Sequence, residues 1–318
     1  MRLDHPFLKL PIRFDADVLA AEVRALPASA WTPHPTGFKG NEAVRLVTVD
    51  GQPTDDFKGQ MAPTEQLIAC PYIGEIMAEL GGVWGRSRLM GLGAGGEVPK
   101  HLDSHYYWRT HWRIHIPVIT NPAVTFMCGG ETVHMGAGEC WMFDSFRQHQ
   151  VHNGGREQRV HLVLDTVGGS RLWDLMDAAK AGSASVKTLI PGERSADGLA
   201  FEMVNSPKVM SPWEIRTHVA FLLGHAVPHP RLEGVAARLE RFIDDWAVAW
   251  AQFGTDDAGL PDYLRTLEEL KRDLGTLGGA DILLRNGLQL YLAFDHVVLV
   301  NLLDQPILEE TPSRAAVG

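Results

Sequence analysis

At 318 residues, with 45% hydrophobic and 21% charged residues, the chain is long enough for one large domain or two ordinary ones and has the composition of a globular protein with a sizeable core. A formal net charge of −10 and a pI near 5.8 leave no basic field to replace counterions, which argues against nucleic acid as a partner. Three cysteines, Cys70, Cys128 and Cys140, are too few and too scattered for a disulfide framework and read as buried small hydrophobes in a reducing compartment. Met1 to Pro6 has no apolar core of signal-peptide length, and no run approaches about eighteen uninterrupted apolar residues. The expectation is a soluble, cytoplasmic protein with no membrane partner.

Phe7 to Phe14 is an extended apolar opening interrupted by Pro11, and Asp17 to Leu26 has the spacing of an amphipathic helix. Pro71-Tyr72-Ile73 begins a second helix that Gly81-Gly82 stops. Residues 87 to 167 are strand-rich: a turn at Gly93 to Gly96, strands at Arg113 to Ile119 and Val124 to Met127, and another at Val160 to Leu164. Val133 to Met135 and Cys140 to Phe143, flanking Gly136-Ala137-Gly138-Glu139, predict a hairpin. Many short strands between glycine turns suggest an antiparallel sandwich or jelly roll. Residues 171–204 look like connection. Beyond Asn205 the pattern is helical: Ser211-Pro212-Trp213-Glu214 forms a capping box, and Leu232 to Trp250, Leu260 to Leu274 and Ile282 to Leu303 repeat apolar residues every three or four positions.

Eight of the fourteen histidines lie between residues 101 and 161. His101 and Asp103, two apart on an extended strand, share a face and can converge on one point. A second imidazole, His149, makes two histidines and a carboxylate. Such a set occupies one face of an octahedral ion and leaves the others open, which suits non-haem Fe(II) activating O2. The competing reading of His101-x-Asp103 is an ion pair at a strand end. Alternation puts Arg159, His161, Val163 and Asp165 on one face and Val160, Leu162 and Leu164 on the other. An inward arginine is costly unless an anion meets it, and its fixed fork suits a keto-acid carboxylate. Arg113 and His115 share a face likewise, either as donors to a carboxylate or as a solvated strand surface. Tyr106-Tyr107-Trp108 either walls a pocket or belongs to the core.

The block from His101 to Asp165 resembles the aspartyl/asparaginyl/proline β-hydroxylase-like family of Fe(II)/2-oxoglutarate dioxygenases. The resemblance rests on His101-x-Asp103, Arg113-x-His115, the run from Met135-Gly136 through Glu139-x-Trp141-x-Phe143-Asp144, His149, and Arg159-x-His161-Leu162-Val163-x-Asp165. It implies an α+β fold, a double-stranded β-helix (jelly roll, cupin-like) with flanking helices and a C-terminal helical region. It implies iron held by His101, Asp103 and His149, the distal carboxylate of 2-oxoglutarate on Arg159, and help for that co-substrate from Arg113 and His115. The implied reaction hydroxylates an unactivated C–H of an amino acid, or of an Asp/Asn-type residue in a peptide, consuming O2 and releasing succinate and CO2. The peptidyl aspartyl hydroxylases of the family lack the acidic ligand and carry a serine upstream of the first histidine. This chain keeps Asp103, as the free proline hydroxylases do, and has Met90-Gly91-Leu92 near the serine's place. Asp103 also argues against a halogenase, in which a small residue vacates that position.

Two rival readings stand beside this one. A cupin-like protein could hold another metal for isomerisation or sensing, though it would not need an inward Arg159. A degenerate barrel could instead serve as an interaction module. The expected organisation is a dioxygenase domain with N-terminal helices over 1–170, a connection over 171–204 and a helical region over 205–318. Those helices are expected to wall the substrate cleft or to form a homodimer surface.

Overall fold

The computed structural model describes residues 3–35, 37–182 and 185–304. These fall into two compact units, one built from residues up to Asp103 together with Thr110–Asn205, the other from Ser104–Arg109 and the residues from Ser206 onward.

The first unit holds two β-sheets. The main path of the larger runs Lys187–Leu189, Phe7–Phe14, Glu139–Phe143, Trp112–Ile119, Arg159–Gly168, Ser87–Leu92, Asn41–Val49 and Thr32–Pro33. The smaller has four strands in the order Glu131–Val133, Val124–Cys128, His149–Asn153 and Glu97–His101. From Ser87 to Gly168 the chain alternates between the sheets, pausing only for the hairpin of Val124–Cys128 with Glu131–Val133. That winding is a double-stranded β-helix, the fold the sequence led us to expect.

Strand alternation decides what each face of the larger sheet does. Leu89, Ile114, Ile116, Leu162 and Leu164 point outward and are buried under helices that contribute Leu19, Val23, Ile73, Ile76, Leu80, Leu172 and Met176. The first of those helices, Ala16–Ala25, starts where the Asp15 side chain accepts the amides of Asp17 and Val18. The second, Pro71–Leu80, opens on its proline and closes at Gly81 in the left-handed region. Inside, Leu92, Phe126, Met135, Phe143 and Val151 form a smaller apolar cluster that joins the two sheets. Polar groups occupy the rest of the interior.

Several expectations need correction. Glu131–Val133 pairs with Val124–Cys128, whereas Glu139–Phe143 pairs with Phe7–Phe14 and Trp112–Ile119 in the other sheet, so residues 134–138 cross between sheets and form no hairpin. The tight turn lies at Gly129-Gly130, where φ values of 56° and 88° need glycine. Residues 171–204, read as connection, contain most of the helix Ser170–Ala181 and two short strands, Lys187–Leu189 and Ala200–Phe201, that pair in the larger sheet. The supposed helix 282–303 is helical only over Leu290–Val297, with a short 3-10 turn at Leu299–Asn301. Upstream of it, Asn286-Gly287 makes a turn in which the Leu284 amide donates to Leu288 O at 2.7 Å and Gly287 takes φ 87°.

The second unit is helical: Pro212–His225, Leu232–Phe253, Leu260–Leu277 and Leu290–Val297. Ser211 caps the first through the Glu214 amide, as the capping pattern predicts. Val235, Leu239, Phe242, Ile243 and Trp246 form the buried face of the long helix, and Trp246 packs its ring 4.4 Å from that of Tyr263. Tyr263 takes a buried position in the helix Leu260–Leu277, with Leu267, Leu270 and Leu274. Trp213 is 68% exposed, with a ring contact to Trp250 at 6.3 Å. The residues of the predicted helical region beyond Asp304 lie outside those described. Among the described residues no helix is long and apolar enough to cross a membrane.

Candidate metal centre and anion pocket

His101 is the last residue of its strand, and His149 the first of the neighbouring one, where the two pair directly. Their rings lie 4.1 Å apart. Asp103 is not on the strand, as the spacing argument assumed, but two residues past its end, where its amide donates to Ser145 O at 2.9 Å. One potential ligand atom from each of His101, Asp103 and His149 lies within 4.8 Å of the others. Both imidazoles meet a backbone carbonyl at Nδ1: His101 meets Pro99 O at 2.7 Å and His149 meets Arg147 O at 3.0 Å. A carbonyl can only accept, so Nδ1 carries the proton in both rings and Nε2 keeps its lone pair for a metal.

The turn before His149 is built by Asp144, whose carboxylate accepts from the Phe146 amide at 3.2 Å and from Arg147 Nε at 3.1 Å. It thereby fixes the residue whose carbonyl orients the His149 ring. Burial, helped by His101 and opposed by Asp103, pushes the His149 pKa down to about 4. A neutral imidazole is the form that ligates.

Arg113 supports the carboxylate. Its Nη1 donates to Asp103 Oδ2 at 3.2 Å, while Nε and Nη2 donate to Asp165 at 3.0 and 3.4 Å. The guanidinium therefore lies between two carboxylates.

A second feature lies on the same inner face. Arg159 is buried, and its Nε has no hydrogen-bond partner among the described residues. Burial pushes its pKa down to about 9, which still leaves it charged at neutral pH. His115 and His161 are buried with their Nδ1 atoms 3.4 Å apart, and neither Nε2 has a partner among the described residues. Burial, followed by the Arg159 charge, holds both well below the usual histidine range, so both rings are neutral. A buried cation flanked by orphaned polar atoms carries a large desolvation cost that an incoming anion would offset.

The structure thus brings His101, Asp103 and His149 together and sets Arg113, His115 and Arg159 on the same interior wall. Sequence reasoning overlooked His161 as a site residue. Its signal was the alternation that placed it beside Arg159. Tyr106, Tyr107 and Trp108 form part of the short helix Tyr106–Thr110 and belong to the second unit.

A double-stranded β-helix with an interior site that could hold a metal defines the class. Within the chain, residues 56–168, which include all of these groups, match the aspartyl/asparaginyl beta-hydroxylase family. A search among curated proteins gives no match. Among solved structures, a prolyl-4-hydroxylase from Pseudomonas putida is similar at 16% identity and TM-score 0.33, over 51% of this chain and 92% of that one. An oxidoreductase of the 2OG-Fe(II) oxygenase family from Burkholderia pseudomallei is similar at 14% identity and TM-score 0.34, over 48% and 78%. The Cnp3 cupin domain of Schizosaccharomyces pombe is similar at 12% identity and TM-score 0.22, over 26% of this chain and 54% of its own length.

Proposed function

We propose that the chain is an Fe(II)/2-oxoglutarate-dependent dioxygenase that hydroxylates an unactivated C–H of an amino acid, or of an Asp/Asn-type residue in a peptide. One observation carries the reading: three convergent ligands share an interior with a buried guanidinium whose Nε lacks a partner. The donor set of two imidazoles and a carboxylate fits Fe(II), and the buried Arg159 guanidinium with its orphaned Nε fits the carboxylate of a keto-acid.

His101 and His149 would hold the metal through Nε2, with Nδ1 protonated and fixed by backbone carbonyls, and Asp103 would supply the anionic ligand. Arg113 keeps that carboxylate oriented. Arg159 would take the distal carboxylate of 2-oxoglutarate, with the neutral His115 and His161 beside it. When bound, iron with its co-substrate supplies the oxidising chemistry toward O2 that ends in succinate, CO2 and a hydroxylated product. Phe126 and Phe143, with ring centroids 6.3 and 4.9 Å from His149, keep that side of the centre dry.

The test is titration of Mn(II) and then 2-oxoglutarate into the full chain without oxygen, followed by succinate measurement with Fe(II) in air. The expected result is 2-oxoglutarate binding that depends on the metal, and succinate formation that a substrate stimulates. Metal binding without 2-oxoglutarate binding would favour the cupin-like reading instead.

A further inference from the structure

The inner face of the larger sheet carries a second concentration of positive charge. Arg45, Arg88, Val163 and His115 are successive cross-strand partners on four neighbouring strands, so their side chains share the interior face. Neighbouring strands lie about 4.8 Å apart, which sets Arg88 roughly 10 Å from His115 along this row. Arg88 is buried, and its Nη1 lies 3.2 Å from His34 Nε2. Among the described residues, the only carboxylate with which it forms an ion pair is Asp55, at 3.8 Å. That carboxylate is already engaged: Arg45 grips both of its oxygens, at 3.2 and 2.5 Å. Two guanidiniums thus share one carboxylate. Arg86 adds a third positive charge as its Nη1 donates to the Asp55 carbonyl at 3.1 Å and its guanidinium lies over the Phe57 ring.

The surroundings register the excess charge. Burial, with Arg88 and Arg86 acting next, pushes the His34 pKa down to about 3, so this ring is neutral and does not add to the charge. Burial, with Arg86 and Arg113 acting next and Asp165 and Asp55 opposing them, pushes Arg88 down to about 9. The cluster is not sealed: the side chains of Arg45 and Asp55 are 20% and 24% exposed. Arg113, the next guanidinium toward the metal ligands, is neutralised by Asp103 and Asp165 and offers no comparable surplus.

We propose that this cluster, with Arg88 as the specificity-determining residue, receives an anionic group of the primary substrate, a carboxylate or a phosphate. Arg159 serves the co-substrate and the Arg88 cluster serves the substrate, so one wall presents two anion sites. The inference rests on the dioxygenase reading for what happens next to the bound molecule, but binding can be measured without turnover. An amide in place of the anion leaves Arg88 facing a dipole in a buried setting, where charge-assisted hydrogen bonds are the strong ones.

The experiment is calorimetry on the full chain, with and without Mn(II) and 2-oxoglutarate. The probes are L-aspartate, O-phospho-L-serine and L-asparagine, each also as the central residue of a blocked tripeptide. At least one acidic probe is expected to bind about tenfold or more tightly than its asparagine counterpart. Aspartate against phosphoserine tells carboxylate from phosphate, and free against blocked tells amino acid from peptide. Arg88→Gln is expected to erase the acidic preference while 2-oxoglutarate affinity stays within about twofold. If that variant does not fold, Arg88→Lys is expected to retain the preference with weaker binding, since charge remains and the fork is lost. Equal affinity for acidic and amide probes, no binding by any acidic probe, or a preference unchanged by Arg88→Gln would overturn the proposal. Failure of 2-oxoglutarate to bind the Mn(II)-loaded chain would instead overturn the dioxygenase reading.

Discussion

Replacing Arg159 by methionine separates a binding residue from a structural one, because the two roles predict opposite changes in stability. Burial lowers the Arg159 pKa from its ordinary value to about 9. At about 1.4 kcal/mol per pH unit, that is a penalty on the order of 4–5 kcal/mol on the charged form in the ligand-free fold. Methionine keeps much of the aliphatic stem and removes the charge, so Arg159→Met should raise the melting temperature of the ligand-free chain. At roughly 2–4 °C per kcal/mol for a unit of this size, recovering even half of the penalty gives a rise of several degrees. With 2-oxoglutarate at about a hundred times its Kd, the Mn(II)-loaded parent chain should gain about 2.7 kcal/mol, and the variant should gain nothing. Arg159→Lys keeps the charge without the fork and should weaken 2-oxoglutarate by about ten- to a hundredfold. Melting curves with and without 2-oxoglutarate are the assay. A variant that melts lower than the parent and still gains stability from 2-oxoglutarate would show that Arg159 is a structural cation.

Asp103→Ala should fold, since Arg113 retains Asp165, but should lose more than about tenfold in Mn(II) affinity and all coupled succinate formation; unchanged Mn(II) affinity would remove Asp103 from the ligand set. Glu79 is buried with Lys187 and Arg171 on its carboxylate; burial pushes its pKa up, but the two cations outweigh this and leave it below the ordinary value. Its stabilisation is therefore present above the ordinary carboxylate pKa and is lost as pH falls through the lowered one. Both cations are about half exposed, which limits the effect to about 1 kcal/mol. Glu79→Gln should accordingly melt lower than the parent at pH 7 and converge with it in acid, and a constant difference at every pH would contradict the assignment. Cutting the chain after Asn205 should leave Ser104, Tyr106 and Arg109 without His296, Glu214 and Phe221, their contacts in the helical unit. Exposure of Tyr106 and Trp108 should then show as dye binding and self-association, and a monodisperse truncated chain that binds Mn(II) normally would mean those contacts are dispensable.

The sequence was most legible where a local rule and the tertiary environment agree. Pro71, Gly81 and Ser211 mark helix ends by chemistry that operates within a few residues, and each end falls where that chemistry puts it. The alternation of Arg159 to Asp165 survives because both faces of that strand are buried against different partners, which fixes its register. Legibility failed where the deciding interaction is distant in sequence. Whether Glu139–Phe143 turns back on Val133 or crosses to the other sheet depends on Phe7–Phe14 and Trp112–Ile119, neither of which is a neighbour in the chain. The periodic leucines of 282–303 look helical in isolation, yet Asn286-Gly287 offers a turn that the backbone takes, and apolar spacing alone does not weigh that alternative.

The site divides along the same line. Ligand types and spacing gave the triad, although the reason offered for His101 and Asp103 was incomplete: the strand ends between them, and the Ser145 carbonyl, not strand geometry, holds Asp103 in place. The Asp103–Arg113–Asp165 chain and the Arg45–Asp55–Arg88 cluster were not legible, because strand register sets Arg45 beside Arg88 and Arg113 beside Asp165 while Asp55 and Asp103 come from outside the strands, joining residues 10 to 52 positions apart. Register also explains why these charges are tolerated. On the outer face the same strands bury an uninterrupted aliphatic layer, which can stabilise the fold while the inner face retains guanidiniums that stability alone would not select. Arg113 has two carboxylates to answer it, Arg88 shares one, and Arg159 has an orphaned Nε. That ordering is what a wall prepared for anions would have: the arginine beside Asp103 is neutralised in advance, and the two further along the sheet keep charge in reserve.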